Sequence, residues 1–561
     1  MFFRGYNLIT TLARPESLPA PLAAGAAKER AQAAAQLAMS RDPGDMLLSQ
    51  RLADPAAYLR VQRGRRQALE ALIAAEADAQ ALERVVDLIC LVAEESTWSA
   101  NPKGTPFDDD QHPVIDFQCA ETLMLLAWTQ RGLGERLGSR VCGKLQYEAR
   151  RRVFSPFLAH ADYPFMRFVG PKSARSGRPL CILSDILLSA VLLESDAGRR
   201  AAIFKQALRL IDQAVQAKGR AVVPLADELA ETAAATDLCL LLRKLTRGEM
   251  DLTNDCPAPD WLDALLFPWL EGDCFADPAT GDMRPALSGQ ELFRVGLAAN
   301  DEALTALGAS LHRMDPRPSA TVTGRLLDAA CWAMLSAQSD KPPRLKHAAT
   351  PHNRVMLSRM GGMTCALHTG GDRGNAGALL MFAGGEPILV EAPGQASLPL
   401  IGGLNQLNAP GESAPEAAFG ADVCPADFEV RDDGEVMSVD LTHAWPARAG
   451  ARSAQRTVMA LRREKTFQLV DAFDLEKPAP VAFRFITPQV PEKLENGVRL
   501  GPVGLTWQGD MACDIAPLSA RFTGAGASER PLYRVSLTSP GPVSRGFFAF
   551  AFSMPEACAA Q

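Results

Sequence analysis

The period of the apolar residues changes once along this chain, near residue 345, and that change restricts the available folds more than any other feature. Before it, Leu82, Val85, Val86, Ile89 and Cys90 recur at the three-and-four spacing of a helix face. The spacing repeats in Ala120, Leu123, Met124, Ala127 and Trp128, in which Asp116 can cap the start and Gly132 is expected to mark the end. Further helices are expected over 181–194, 199–218 and 227–245. Beyond Pro342-Pro343 the helical period stops. Thr457–Leu461, Phe467–Val470, Val481–Phe485 and Tyr533–Leu537 alternate as half-buried strands do, with Gly and Pro turns between them. The expected organisation is therefore a helical domain over 1–345 and an antiparallel β-sandwich over 346–561. Periodicity alone leaves the helices open to a bundle, a solenoid or a closed toroid.

A length of 561 residues exceeds what one core sustains, so two domains are expected. Hydrophobic residues make up 47% and charged residues 22%, which argues against extensive disorder. A net charge of -7 gives no general attraction to nucleic acid or anionic membrane, and no apolar run has the length of a membrane span. The start lacks the apolar core of a signal peptide, so the cytoplasm is the expected compartment. The twelve cysteines include Cys90, Cys119, Cys181, Cys239 and Cys331; they lie singly, form no CxxC pair, and read as reduced core residues.

The two apolar runs Ala378–Phe382 and Pro387–Val390 flank Ala383-Gly384-Gly385-Glu386, the signature of a hairpin. With Leu398–Gly403 and Asp440–Trp445, this stretch resembles the heparinase II/III-like polysaccharide lyases. Matching segments in the helical half are Glu94–Trp98, Pro113–Asp116, Ala120–Thr122, Arg152–Phe154, Pro156-Phe157, Asp227-Glu228 and Phe275–Asp277. The resemblance implies an α/α toroid of helical hairpins followed by a β-sandwich, with an acidic polysaccharide or oligosaccharide bound between them.

It also implies a carbon–oxygen lyase that neutralises a uronate carboxylate with an asparagine, removes the adjacent proton with a histidine and protonates the leaving oxygen with a tyrosine. In this sequence those positions fall at Ser176–Pro179, Gly371 and Thr232; a threonine hydroxyl is far too weak an acid to replace a phenol. The zinc ligands of the resemblance fall at Arg373, Glu391 and Ala396, so one ligand of three is kept and no metal or other cofactor is expected. Arg373 could pair with Glu391 in the metal's place. His368 is the first histidine to test as a displaced base, ahead of His112 and His443. Trp98, Arg175, Arg178, Asp227, Glu228, Arg373 and Glu391 are the candidate substrate-binding residues. Three functions stay open: a lyase with relocated groups, a non-catalytic carbohydrate binder, and a protein-interaction scaffold. A glycoside hydrolase would need paired carboxylates from among Asp116, Asp227, Glu228 and Glu231, but a capping or solvated role suits these better.

Overall fold

A computed structural model describes residues 26–555 apart from 41–43, 45, 76–77, 101–111, 169–177, 219–222, 281, 337–344, 351–353, 370–375, 393–395, 407–423 and 524–528. The described residues fall into two compact bodies. One comprises Met1–Ala221, Asp227–Ala258 and Leu287–Pro342; the other comprises Val222–Ala226, Pro259–Ala286 and Pro343–Gln561.

The first body is helical. Its elements are α1 (Ala26–Ser40), α2 (Leu48–Ala53), α3 (Pro55–Ala74), α4 (Ala79–Ala93), α5 (Phe117–Ala149), α6 (Ser155–Ala159), α7 (Pro179–Leu193), α8 (Ala197–Ala217), α9 (Leu225–Leu245), α11 (Gly289–Ala299), α12 (Glu302–Met314) and α13 (Val322–Ser336), with α10 (Pro259–Leu266) lying in the other body. Short polar residues start many of them. Asp54, Asp78, Asp116, Asp196 and Asp301 each accept a backbone N–H three residues on, at 2.7–2.9 Å, satisfying one of the donors a helix leaves open at its start. Val85 and Ile89 are buried as the spacing predicts, but Cys90 is exposed, because α4 turns Leu88 and Val92 into the core in its place. The helix beginning at Phe117 also runs past Gly132. Its break comes at Gly138, whose φ of 78° only glycine adopts without strain. α11 and α12 approach through glycines: a Cβ on Gly308 would sit 2.4 Å from Phe293 N, and one on Gly289 2.4 Å from His312 N.

The second body is built of antiparallel strands. β1 (Trp269–Glu271) and β2 (Cys274–Phe275) pair as a two-stranded ribbon, and a five-stranded sheet runs in the order β3 (His347–Ala349), β4 (Val355–Met360), β5 (Met363–His368), β6 (Ala378–Ala383), β7 (Glu386–Leu389). Gly384 and Gly385 close the β6–β7 hairpin with φ of 59° and 81°, the two positive values a two-residue turn of this twist demands. An eight-stranded sheet runs in the order β14 (Pro491–Leu494), β15 (Gly497–Leu500), β16 (Val503–Trp507), β19 (Val543–Ser553), β12 (Thr466–Ala479), β11 (Ala451–Leu461), β10 (Gly434–Asp440), β9 (Ala426–Arg431). A four-stranded sheet runs β17 (Ala512–Thr523), β18 (Glu529–Thr538), β13 (Val481–Thr487), β8 (Pro399–Ile401).

The five-, eight- and four-stranded sheets contribute to one core, from Leu367 and Met381 through Val458 and Phe467 to Phe483 and Val535. β5 and β6 are buried on both faces, so they read as continuous apolar runs and not as alternation. Their second face packs on Leu270, Cys274, Ala276 and Met283, which explains why Pro259–Ala286 belongs to this body. One ion pair is fully enclosed. Arg456 donates through Nε and Nη2 to both carboxylate oxygens of Asp471, each at 2.7 Å, and through Nη1 to the carbonyls of Gly377 and Ser397.

Candidate functional site

The residues expected from sequence to bind substrate are dispersed. Trp98 is fully buried. Its indole N–H donates to Val92 O at 2.9 Å and the Arg152 guanidinium lies 5.0 Å from its ring centre, so it is packed as a core side chain. His368 ends β5 with its ring buried, and its Nε2 donates to Asp277 O at 3.2 Å. Burial disfavours the imidazolium and pushes the His368 pKa down to about 4. Thr232 lies fully buried within α9. Glu391 is half-buried just beyond β7, while Arg175, Arg373 and Gly371 lie outside the described residues, as does the suggested Arg373–Glu391 pair.

The structure does bring Arg178 and Asp227 together. Arg178 sits at the start of α7 with a left-handed φ of 57° and donates from Nε to Asp227 Oδ1 at 2.8 Å. Glu228 pairs with Lys218, and Glu231 accepts the Leu180 N–H at 3.2 Å. Burial pushes Glu231 up to about 7, so much of it is protonated near neutrality. Of the carboxylates weighed for glycoside hydrolysis, Asp116 is a cap: besides the Cys119 N–H it accepts Ser99 Oγ at 2.6 Å and Ala100 N at 2.8 Å.

A larger feature of the helical body escaped the sequence. A cavity of about 1410 Å³ opens between α1, α3, the start of α5 and the segments around 112–116, 162–167 and 312–328. Its wall holds two knots of paired charge. Arg325 donates to both Glu70 oxygens, at 2.8 and 3.0 Å, and to Glu121 Oε2 at 3.2 Å. Arg66 donates to Thr122 Oγ1 at 2.6 Å and to the buried Glu95 at 2.7 Å. Glu121 also accepts the Val322 N–H, and burial raises its pKa above the usual carboxylate range; burial, with the Glu121 carboxylate beside it, raises Asp185 well above that range too.

Other lining groups are less committed. Arg63, Gln67 and Arg167 are exposed on the wall, and the Gln118 side-chain nitrogen is buried with no hydrogen-bond partner among the described residues. At one edge His112, His160 and Asp162 place one ligand atom each within 4.8 Å of one another, the one such group among the described residues. Tyr163 beside them donates its phenol proton to Pro113 O at 2.8 Å. The sequence offered no spacing signal for this cluster, because His112 and His160 are 48 residues apart and only the fold joins them.

No family model matches the sequence, and no curated protein matches it. Solved structures do. Heparinase III superposes with a TM-score of 0.57 at 10% identity, covering 98% of this chain and 88% of that one. The chondroitin AC lyase of Streptomyces coelicolor A3, in complex with chondroitin sulphate, superposes at 0.60 and 12% identity, covering 99% and 81%. A Paenibacillus xanthan lyase superposes at 0.57 and 9% identity over 99% of this chain and 58% of its own length. Across helices and sheets alike, this chain has the fold of these lyases, an α/α toroid followed by an antiparallel β-sandwich.

Proposed function

We propose that this chain is a lyase-like protein that binds acidic oligosaccharides in the cavity of its helical body and does not cleave them by elimination. The cavity carries the reading. At about 1410 Å³ it exceeds the roughly 300–1,000 Å³ of small-molecule sites, so more than one sugar ring fits. Arg63 and Arg167 supply exposed cations for carboxylate or sulfate groups, Gln118 supplies an unspent donor, and Phe117 supplies an apolar surface. The fold adds weight, since one of its neighbours holds chondroitin sulphate.

Most of the proton-transfer candidates favour binding over cleavage, and the one on the cavity wall, His112, is engaged with Asp162 at 3.0 Å. His368 is sealed against Asp277 O, Thr232 is buried, and the phenol of Tyr163 is committed to Pro113 O. Elimination needs a base and an acid that reach the sugar.

The test pairs calorimetry on a panel of uronate-containing hexasaccharides with absorbance at the band of unsaturated sugar ends. The expected result is saturable binding without product. Replacing both Arg63 and Arg167 by alanine should weaken it about five- to tenfold, as two partly screened cations are worth about 1 kcal/mol together or somewhat more. Accumulating unsaturated product would restore the lyase reading. Failure of every saccharide to bind would leave the protein-interaction scaffold as the account to pursue.

A further inference from the structure

We infer that His112, His160 and Asp162 form a binding site for one divalent transition-metal ion, with Zn²⁺ the best match, at the edge of the helical-body cavity. The inference stands on these three side chains and holds whether or not the cavity takes a saccharide.

Local backbone geometry aligns two of the ligands. His160 follows α6 in an extended conformation, φ -119° and ψ 144°, and no helix resumes before residue 164. In extended chain, residues i and i+2 project to the same side, so His160 and Asp162 face the same way. The third ligand comes from the segment leading into α5. Tyr163 fixes that segment by donating to Pro113 O at 2.8 Å, and Phe165 stacks on the Tyr163 ring at 5.7 Å, so the residues flanking His112 and Asp162 are tied together by a buried aromatic pair.

The ligand atoms are already close. His112 Nε2 lies 3.0 Å from Asp162 Oδ1, the two imidazole centroids are 4.1 Å apart, and all three ligand atoms fall within 4.8 Å. A tetrahedral zinc with bonds of about 2.0–2.1 Å holds its ligand atoms roughly 3.3–3.4 Å apart. The widest pair must therefore draw in by no more than about 1.5 Å, which small side-chain rotations supply. Such rotations are open here: the His112 side chain is 34% exposed and that of Asp162 63% exposed.

Chemistry selects the ion. Two imidazole nitrogens and one carboxylate oxygen suit Zn²⁺ and its first-row neighbours and do not suit Ca²⁺ or Mg²⁺, which take oxygen ligands almost throughout. Three protein ligands also leave a fourth position. Because His112 and Asp162 both line the cavity, that position faces open space, the arrangement of an ion that can accept an oxygen from a bound molecule. A plain His112–Asp162 ion pair is the competing explanation, but it gives no reason for the His160 ring to lie 4.1 Å from that of His112.

The test uses the untagged full chain, stripped of metal and titrated with Zn²⁺ by calorimetry and with Co²⁺ by visible spectroscopy. One equivalent should bind, and the cobalt form should show four- or five-coordinate d–d bands with no sulfur-to-metal charge transfer. Variants H112A, H160A and D162N should each weaken Zn²⁺ binding at least about 100-fold, beyond what an outer-sphere partner commonly contributes. All three residues are at least partly exposed, so circular dichroism should be unchanged. Absence of saturable binding by the wild type, thiolate charge transfer from one of the free cysteines, or full retention of binding in H160A would each overturn the site.

Discussion

The enclosed Arg456–Asp471 pair makes a demanding test, because it joins β11 and β12 to the two loop ends at Gly377 and Ser397. Both side chains have zero exposure. Substituting Arg456→Met strands the Asp471 carboxylate in the core, a loss of about 3–5 kcal/mol for a buried pair broken on one side. For a body of this size, about 2–4 °C of melting temperature goes with each kcal/mol, so the β body should melt roughly 6–20 °C lower. In the double variant Arg456→Met/Asp471→Leu no charge is buried; the Gly377 and Ser397 carbonyls lose their donor in both variants, so the single and the double differ by the stranded carboxylate alone.

Hydrogen exchange read by mass spectrometry on peptides from β11 and β12 measures this without interference from the helical body. The single variant should lose protection in both strands, and the double variant should regain a large part of it. Protection unchanged within about 0.5 kcal/mol in the single variant, or a double variant no better than the single, would refute the argument that an unpaired buried charge dominates.

Gly308→Ala should destabilise the α11–α12 crossing by about 1–3 kcal/mol in thermal unfolding, since its Cβ meets Phe293 N at 2.4 Å, whereas Gly143→Ala meets nothing within 4 Å and should cost nothing. Burial raises Glu231 and Glu291 to about 7 in the folded chain, against an ordinary value near 4.5. Both therefore favour the folded state at acid pH, and that contribution is lost as pH rises from about 4.5 through 7. Glu231→Gln and Glu291→Gln should each flatten the pH dependence of unfolding over that window, by up to about 3 kcal/mol, and a variant that parallels the wild type would contradict it. His368→Phe removes the donor to Asp277 O and should cost about 1–3 kcal/mol in urea unfolding while leaving saccharide affinity unchanged. A tenfold loss of affinity would return His368 to the site.

The fold was legible because the segments that carry the family resemblance are largely buried frame. Trp98, Phe154, Phe157 and Leu441 are enclosed, Glu95 is the carboxylate that Arg65 and Arg66 share, and Asp116 is a cap. Such residues hold helices and sheets in place in any sequence that keeps the frame, so short motifs report them well. Local signals err where tertiary packing intervenes: Gly132 predicts a stop, but it lies inside a helix with room to spare, since a Cβ added there would meet nothing closer than Ile73 at 3.8 Å.

The candidate site was less legible. Arg178 and Asp227 could be named as candidates, and they do meet. The cavity draws on α1, α3, α5 and three separated connections, and the His112–His160–Asp162 group spans a gap that no spacing rule covers. Trp98 shows the reverse problem: its sequence position beside a helix end fits a sugar platform or a core residue equally, and only its burial decides.

The central claim is that acidic oligosaccharide sits in the helical-body cavity and stays intact. A crystal structure of the chain soaked with a uronate tetrasaccharide addresses it directly. The account predicts uncleaved sugar beside Phe117, with a hydrogen bond from the Gln118 side chain and a carboxylate or sulfate near Arg63 or Arg167. An empty cavity with sugar bound elsewhere, or an unsaturated disaccharide in its place, would contradict it.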